Sequence, residues 1–385
     1  MKRVLIVALP ALAGLLLSCS DDSPTGGGPI TPPDTLWTKI YHPEMRGTIQ
    51  CVRQTEDGGF VFTGSQEVNA NDVAFWAGKT DSQGTLQWEL TLDVGWGADV
   101  QPTADGGYIV GGAHYPAGAP EQADPLLVKL SAAGIMEWQK VFTVEGMDEG
   151  WAVAPLDNGY ALAGTNGGGS ISGDRAFLLR TDSQGDSLWS GFYGGNAAEW
   201  RCHDMVGNDD GNFVLAGSTV YASGGADFLM LEVGASGALL WSRPYATGNI
   251  GEATALIRTS DGGYALAGWT SIALEQGSLL VKTDADGHET WRRTYAPPEF
   301  GSAWDLQETL DCGFILSGYI SDFYSVTCIL RTDASGNEIW SSGLGYSLGA
   351  ASYSVAVTQD GGYALGGIGG SFAEPMALLV RLAAE

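Results

Sequence analysis

The stretch SDGGYALAGWT at residues 260–270, followed by LLVKTDADGHETW at 279–291, decides the fold, because the chain repeats it. Asp-Gly-Gly suits a tight hairpin, since Gly accepts positive φ without steric cost. Around it, ATALIRT (253–259) reads as a first strand, A, and YALAGWT (264–270) as a second, B. SLLVKT (278–283) reads as strand C, DADG (284–287) as a turn, and ETWRRTY (289–295) as strand D. The strands are β-branched and aromatic with almost continuous apolarity, the mark of sheets covered on both faces. No stretch keeps a helical period.

Outward from this unit, the turn recurs as EDGGF (56–60), ADGGY (104–108), LDNGY (156–160), DDGNF (209–213), LDCGF (310–314) and QDGGY (359–363). A Trp stands four residues after a Gly at Trp88, Trp138, Trp189, Trp241, Trp291 and Trp340. A cation closes strand C at Lys79, Lys129, Arg180, Lys282, Arg331 and Arg381, with Glu232 breaking the series. Such regularity implies a structural partner, expected among the nearby Asp81, Asp182, Asp284 and Asp333. Self-similarity at this period marks a repeat architecture. Four-stranded units with small residues along strand A fit radial blades crowding an axis. A β-solenoid is the alternative, although its coils are usually shorter. The last unit stops at Arg381-Leu382-Ala383-Ala384-Glu385 without a strand D, and DTLWTKIY (34–41) supplies one, with Trp37 in the repeat's Trp position. The expectation is an all-β, seven-bladed propeller over residues 35–385, its ring closed by residues 35–41 completing the C-terminal blade.

On these motifs, residues 35–385 resemble a group of bacterial and archaeal exported repeat proteins whose units read "tSDGGYilaGyT…LlvKTDanGn..W". The resemblance implies a propeller and says little about activity. TDADGHETW (283–291) is also similar to the tryptophan-docking hairpin of quinoprotein-type propellers and to the Asp-box of sialidases. Each differs from it by one residue of spacing, so neither pyrroloquinoline quinone nor sialidase chemistry carries over, and no cofactor is expected. In both relatives the hairpin is structural, which implies that the repeated Trp residues pack between blades.

The N-terminus reads differently. Lys2 and Arg3 precede an apolar run over 4–17, short for a membrane span and placed as a secretion signal. Leu16-Leu17-Ser18-Cys19 resembles the lipobox of bacterial lipoproteins, which implies cleavage after residue 18 and a lipid anchor on Cys19. Residues 19–34 are Gly- and Pro-rich and polar, a flexible tether. Ser20 after the Cys, by resemblance to Gram-negative lipoproteins, implies the outer membrane. The chain has 18 Lys and Arg against 45 Asp and Glu; losing Lys2 and Arg3 leaves 16 against 45, a net charge of −29. That acidity opposes nucleic acid and anionic headgroups. It favours cations, basic protein surfaces or neutral glycans as partners of a monomer held at a membrane. Cys51, Cys202, Cys312 and Cys328 lack the paired spacing of a zinc site. Cys312 and Cys328 fall within one repeat, in a compartment that permits a bridge.

Catalytic signatures are scarce. His42, His114, His203 and His288 fall at unrelated positions, and no recognised nucleophile, metalloprotease or phosphate-binding motif appears. DADGHE (284–289) lacks the further ligands of an EF-hand, and no metal is expected. The informative residues break the repeat. Trp96, Trp151, Trp200 and Trp304 gather at the entry to strand A, Trp269 ends a strand B, and Trp76 reads as core. Six residues before the turn Asp stand Asp99, Asp204 and Asp305, with Glu149, Glu199 and Glu252 close by. Aromatic platforms beside carboxylates suit a sugar or a cationic peptide. The same Trp residues would also serve as a channel plug. The reading is a non-enzymatic lipoprotein propeller that binds a glycan, peptide or protein through its D–A and B–C loop face. Trp96, Asp99, Glu149, Trp151, Trp200, Asp204, Glu252, Trp269, Trp304 and Asp305 are its candidate contacts. One alternative is a scaffold resembling the propeller lipoprotein of the outer-membrane assembly machinery, although that family has eight blades. Another is a glycan-active enzyme using loop carboxylates such as Asp204 and Asp305.

Overall fold

A computed structural model describes residues 31–385 apart from the loop segments 70–71, 117–121, 144–147, 168–172, 195–197, 273–274, 297–299, 321–325, 345–349 and 372–373. Cys19, the leader over 1–18 and all but the last residues of the tether lie outside them. The described residues form seven antiparallel four-stranded blades, and no helix is found among them. Blade five shows the plan: strand A is Gly251–Arg258, B is Tyr264–Ile272, C is Glu275–Thr283 and D is Glu289–Tyr295. In blades one and two a single strand, Leu86–Pro102, serves as the outer strand of one and the inner strand of the next. Blade seven is completed from the other end of the chain. Thr35–Tyr41 pairs with Glu374–Leu382, placing Trp37 beside Arg381 and Tyr41 beside Ala377. The ring therefore closes as the repeat requires.

The Asp-Gly-Gly turns are built alike. In blade one, Thr55 Oγ1 donates to Asp57 Oδ1, the Gly59 amide donates to the same oxygen at 3.1 Å, and Gly58 takes φ 78°. In the sixth blade Cys312 occupies that Gly position with φ 64°, a conformation an L side chain adopts at a cost.

The strand-C cations are paired, but not with the expected partners. Lys79 reaches Asp57 at 2.6 Å, Lys129 reaches Asp105 at 2.9 Å, Lys282 reaches Asp261 at 2.8 Å and Arg381 reaches Asp360 at 2.6 Å. Arg331 holds Asp311 in the same way. These are the Asp residues of the A–B turns. Strand register explains the correction: Lys79 pairs with Val61, next to the A–B hairpin, so its side chain lies under that turn. Asp81, by contrast, accepts from the amides of Gln83 and Thr85 within its own C–D turn. Asp182, Asp284 and Asp333 do the same. The hydrogen bond from Lys79, with that of Thr55, lowers the Asp57 carboxyl to about 2. Where the repeat breaks, the pairing adapts. Arg180 faces the two-residue turn Asp157–Asn158, one residue shorter than the others, and donates to the Asn158 and Tyr160 carbonyls at 3.0 and 3.3 Å. Glu232 reverses the polarity: Asn208 and Asn212 each donate to it at 2.8 Å.

Each repeated Trp staples its blade to the next. Trp37 packs against Phe60, Trp88 against Tyr108, Trp138 against Tyr160, Trp291 against Phe314 and Trp340 against Tyr363, tilted or edge-on, with centroids 5.6–6.3 Å apart. The aromatic partner is in each case the residue that follows the A–B turn of the neighbouring blade. Beside this contact, Tyr41, Tyr193, Tyr245 and Tyr295 donate to the Gly carbonyl of the next blade's C–D turn at 2.7–3.0 Å. The buried aliphatic residues fill the seams; Val214, Phe228 and Met230 of blade four pack with Leu256, Leu266 and Val281 of blade five. Trp76 is fully buried among them, as its strand position implied. Cys51, Cys202 and Cys328 are free buried thiols, so Cys328 does not bridge to Cys312. Cys328 lies mid-strand opposite Gly318, whereas Cys312 sits in the turn beyond the far end of that strand.

Candidate functional site

Each inner strand carries a β-bulge at the same place. The register shifts between Ile49 and Cys51, Gly97 and Asp99, Gly150 and Ala152, Cys202 and Asp204, Ala253 and Ala255, Ala303 and Asp305, and Ser352 and Ser354. A bulge leaves one residue without a cross-strand partner and re-aims its side chain. The seven residues so placed are Gln50, Ala98, Trp151, His203, Thr254, Trp304 and Tyr353, and all of them line one cavity on the propeller axis. Its volume is about 80 Å³, room for several waters. Trp96, two residues before its bulge, joins them, as do Arg53, Asp99, Asp204 and Asp305.

The aromatic rings form two groups. Trp151 meets Trp96 edge to face at 4.6 Å and His203 at 5.3 Å. Across the mouth, Trp304 meets Tyr353 at 5.6 Å and stacks on Tyr319 at 6.3 Å.

The three aspartates have a shared task. An inner strand is a sheet edge, so alternate backbone N–H groups have no ladder partner. Asp99 Oδ2 accepts from the Val153 amide of the following blade at 3.1 Å. Asp204 Oδ2 accepts from Leu256 at 2.7 Å, and Asp305 Oδ2 from Val355 at 2.8 Å. Between blades seven and one, Ser354 Oγ accepts from Val52 at 3.2 Å. The carboxylates therefore latch alternate seams of the ring. Arg53 adds a cation between two of them, 3.4 Å from Asp99 and 3.9 Å from Asp305. Burial raises the Asp305 carboxyl, an effect that Arg53 opposes. Among the described residues no salt bridge reaches Asp204, although its charge acts on Arg53 from further off. Desolvation, with the charges of Asp99 and Asp305, raises the Asp204 carboxyl to about 8 against the pull of the Leu256 amide.

The remaining candidates lie elsewhere. Glu252 stands one step behind the cavity, 2.8 Å from His203, with Ser218 donating to it at 3.2 Å and the Arg201 guanidinium forming an ion pair with it at 3.9 Å. Burial would raise its carboxyl, but His203 and Arg201 outweigh that and bring it to about 2. Trp269 lies cross-strand from Glu252 in blade five and is half-buried. Trp200 packs on the core between blades three and four, its amide donating to the Asp174 carbonyl at 3.0 Å. Glu149 is half-buried outside the cavity lining, its carboxyl raised by desolvation. Asp284, Asp286 and His288 gather their ligand atoms in a C–D turn, but all three are exposed. Sequence reasoning missed Gln50, Arg53, His203, Thr254 and Tyr353. Counting seven residues back from the turn Asp, or from Asn158 in blade three, would have found all of these except Arg53.

No family model matches the chain, and no curated protein matches it. Solved structures do. The Pan2 WD40 domain of Neurospora crassa aligns with a TM-score of 0.56 and 11% identity, over 92% of this chain and 98% of that one. A protein of unknown function from Dyadobacter fermentans aligns at 0.52 and 10%, over 91% and 99%. Sqt1 from Chaetomium thermophilum aligns at 0.52 and 10%, over 92% and 99%. At such identities the likeness is one of fold. The chain has the β-propeller fold that these structures share.

Proposed function

We propose that this propeller is a non-enzymatic binding module, exported and lipid-anchored through Cys19, which takes a glycan, peptide or protein group at the mouth of its axial channel. A propeller fold fits binding or scaffolding in general. The observation that carries the finer reading is the ring of bulges. It collects residues that differ from blade to blade, two Trp, a Tyr and a His among them, at one concave point that Trp96 also lines. Concave sites with aromatic walls and few polar groups are where ligands bind. The same geometry disfavours glycan hydrolysis. Asp204 and Asp305 each hold a backbone amide of the next blade, which gives them a structural task in the ring.

The repeat-group resemblance and the lipobox-like Leu16–Cys19 support the export and the anchor. Fractionation tests them. The wild-type chain should sediment with membranes and Cys19→Ala should appear in the soluble exported fraction; equal distribution of the two would remove the anchor. Binding is tested on glycan and peptide arrays with the wild type and a Trp96→Ala, Trp151→Ala, Trp304→Ala triple variant. Ligands should be lost from the folded variant. Unchanged retention would move the site away from the axis, and turnover of any retained glycan would replace binding with catalysis.

A further inference from the structure

Resting on the reading of the channel mouth as a binding site, we infer that the group it accepts is cationic: the ammonium or guanidinium of a Lys or Arg side chain presented by a peptide or protein. Ring geometry is the first argument. Trp151 stands at 68° to Trp96 and 61° to His203, and Trp304 at 79° to Tyr353. A sugar stacks on one open flat face. Crossed at these angles, the two groups of rings line the cavity from opposite sides without offering a shared flat face, and aromatic walls around a small cavity attract positive charge.

Charge is the second. The cavity is lined by three carboxylates, Asp99, Asp204 and Asp305, against one guanidinium, Arg53. Arg53 serves Asp99 and Asp305. Arg201 and His203 serve Glu252. Among the described residues no salt bridge reaches Asp204, although it faces the same channel. Its two oxygens accept from the Leu256 and Met205 amides and keep further lone pairs. A cation at the mouth would supply what Asp99 and Asp305 already have. Size is the third argument: about 80 Å³ admits the head group of one side chain while the partner lies across the opening. The formal net charge of −27 then steers basic surfaces toward the protein.

The proposal has a pH signature. Asp204 titrates near 8, surrounded by Asp99 and Asp305 on neighbouring inner strands, by Arg53, and by His203 and Glu252 behind it. A bound cation favours its ionised form, so affinity for a guanidinium should rise as pH increases from 6 to 9.

The experiment uses the full chain and capped Arg-containing hexapeptides, with citrulline versions as neutral isosteres and chitohexaose as a neutral glycan. Titration calorimetry should show the Arg peptide binding about tenfold or more tightly than its citrulline twin. Trp151→Ala and Trp304→Ala, which leave net charge unchanged, should each weaken it about tenfold. Trp96→Phe keeps an aromatic face and should retain most of the affinity. Asp204→Asn should remove the rise with pH. Equal binding of the Arg and citrulline peptides, or Trp-dependent binding of chitohexaose alone, overturns the cationic ligand and leaves the binding site standing. Arg-peptide binding indifferent to every Trp change reflects overall acidity and overturns the inference. Absence of any Trp-dependent ligand on glycan and peptide arrays would sink the site itself.

Discussion

The rim of this propeller and its axis are built on opposite principles. At the rim the blades repeat side-chain contacts: a Trp against the next blade's aromatic residue, in four blades a Tyr on its Gly carbonyl, and in five a strand-C cation on the Asp of its own A–B turn. At the axis every blade repeats only a backbone event, the bulge, and varies the side chain it presents. Repetition of side chains marks where the ring is held together. Repetition of backbone with varied side chains marks where a surface is free to differ. The aspartates sit on the border, at the axis but with a task of the rim.

That contrast can be broken by mutation. Trp291→Ala should cost the most, on the order of 3 kcal/mol in urea unfolding, through lost packing on Phe314 and a gap in one seam. It should leave the channel mouth unchanged. Asp305→Ala should follow at about 2 kcal/mol, since the Val355 amide and the Ser354 hydroxyl lose their acceptor. Asp305→Asn should recover part of that. A neutral result for Asp305→Ala would place the aspartates with the binding surface.

Asp204 gives a smaller, pH-dependent effect. Its folded value near 8 lies above the usual carboxylate range, so the native state holds an extra proton between about 4 and 8. Wild-type stability should therefore decline as pH rises through that window. Asp204→Asn should flatten the decline, the two curves diverging by about 1–2 kcal/mol in melts from pH 5 to pH 9. Parallel curves would mean that Asp204 stays ionised throughout.

Trp151→Ala should cost about 1 kcal/mol, because its partners Trp96 and His203 remain to cover the gap. A loss matching that of Trp291→Ala would make Trp151 a plug. Lys282→Met should cost least, under about 1 kcal/mol, because Asp261 is largely exposed and water can replace the ammonium.

The rim was readable because its contacts follow the period of the sequence. Trp37 announced the ring closure by standing where a seventh Trp was missing. The axis was readable only in part. Trp151 and Trp200 look alike as residues entering strand A, yet one faces the channel and the other a seam. The difference is register. Trp151 is the bulged residue of its strand, whereas Trp200 lies three before His203, which is. A one-residue offset turns a strand side chain to the other face, and a bulge leaves no residue-type signature. The strand-C cations failed for a related reason. Asp81 is two residues from Lys79 in the sequence and Asp57 is 22 away, yet the pairing of strands B and C selects Asp57.

The pairing of Thr35–Tyr41 with Glu374–Leu382 also imposes a timetable. The outer strand of the last blade precedes the other six blades in the sequence, and its partner follows all of them. Six blades can form from neighbours in order of synthesis. The seventh cannot, and until it does both ends of the arc expose unpaired strand edges. Closing a loop that spans the whole chain is a slow, non-local step. An arc open at that seam would present two unpaired edges, and the chain's net charge of −27 opposes the association of such arcs.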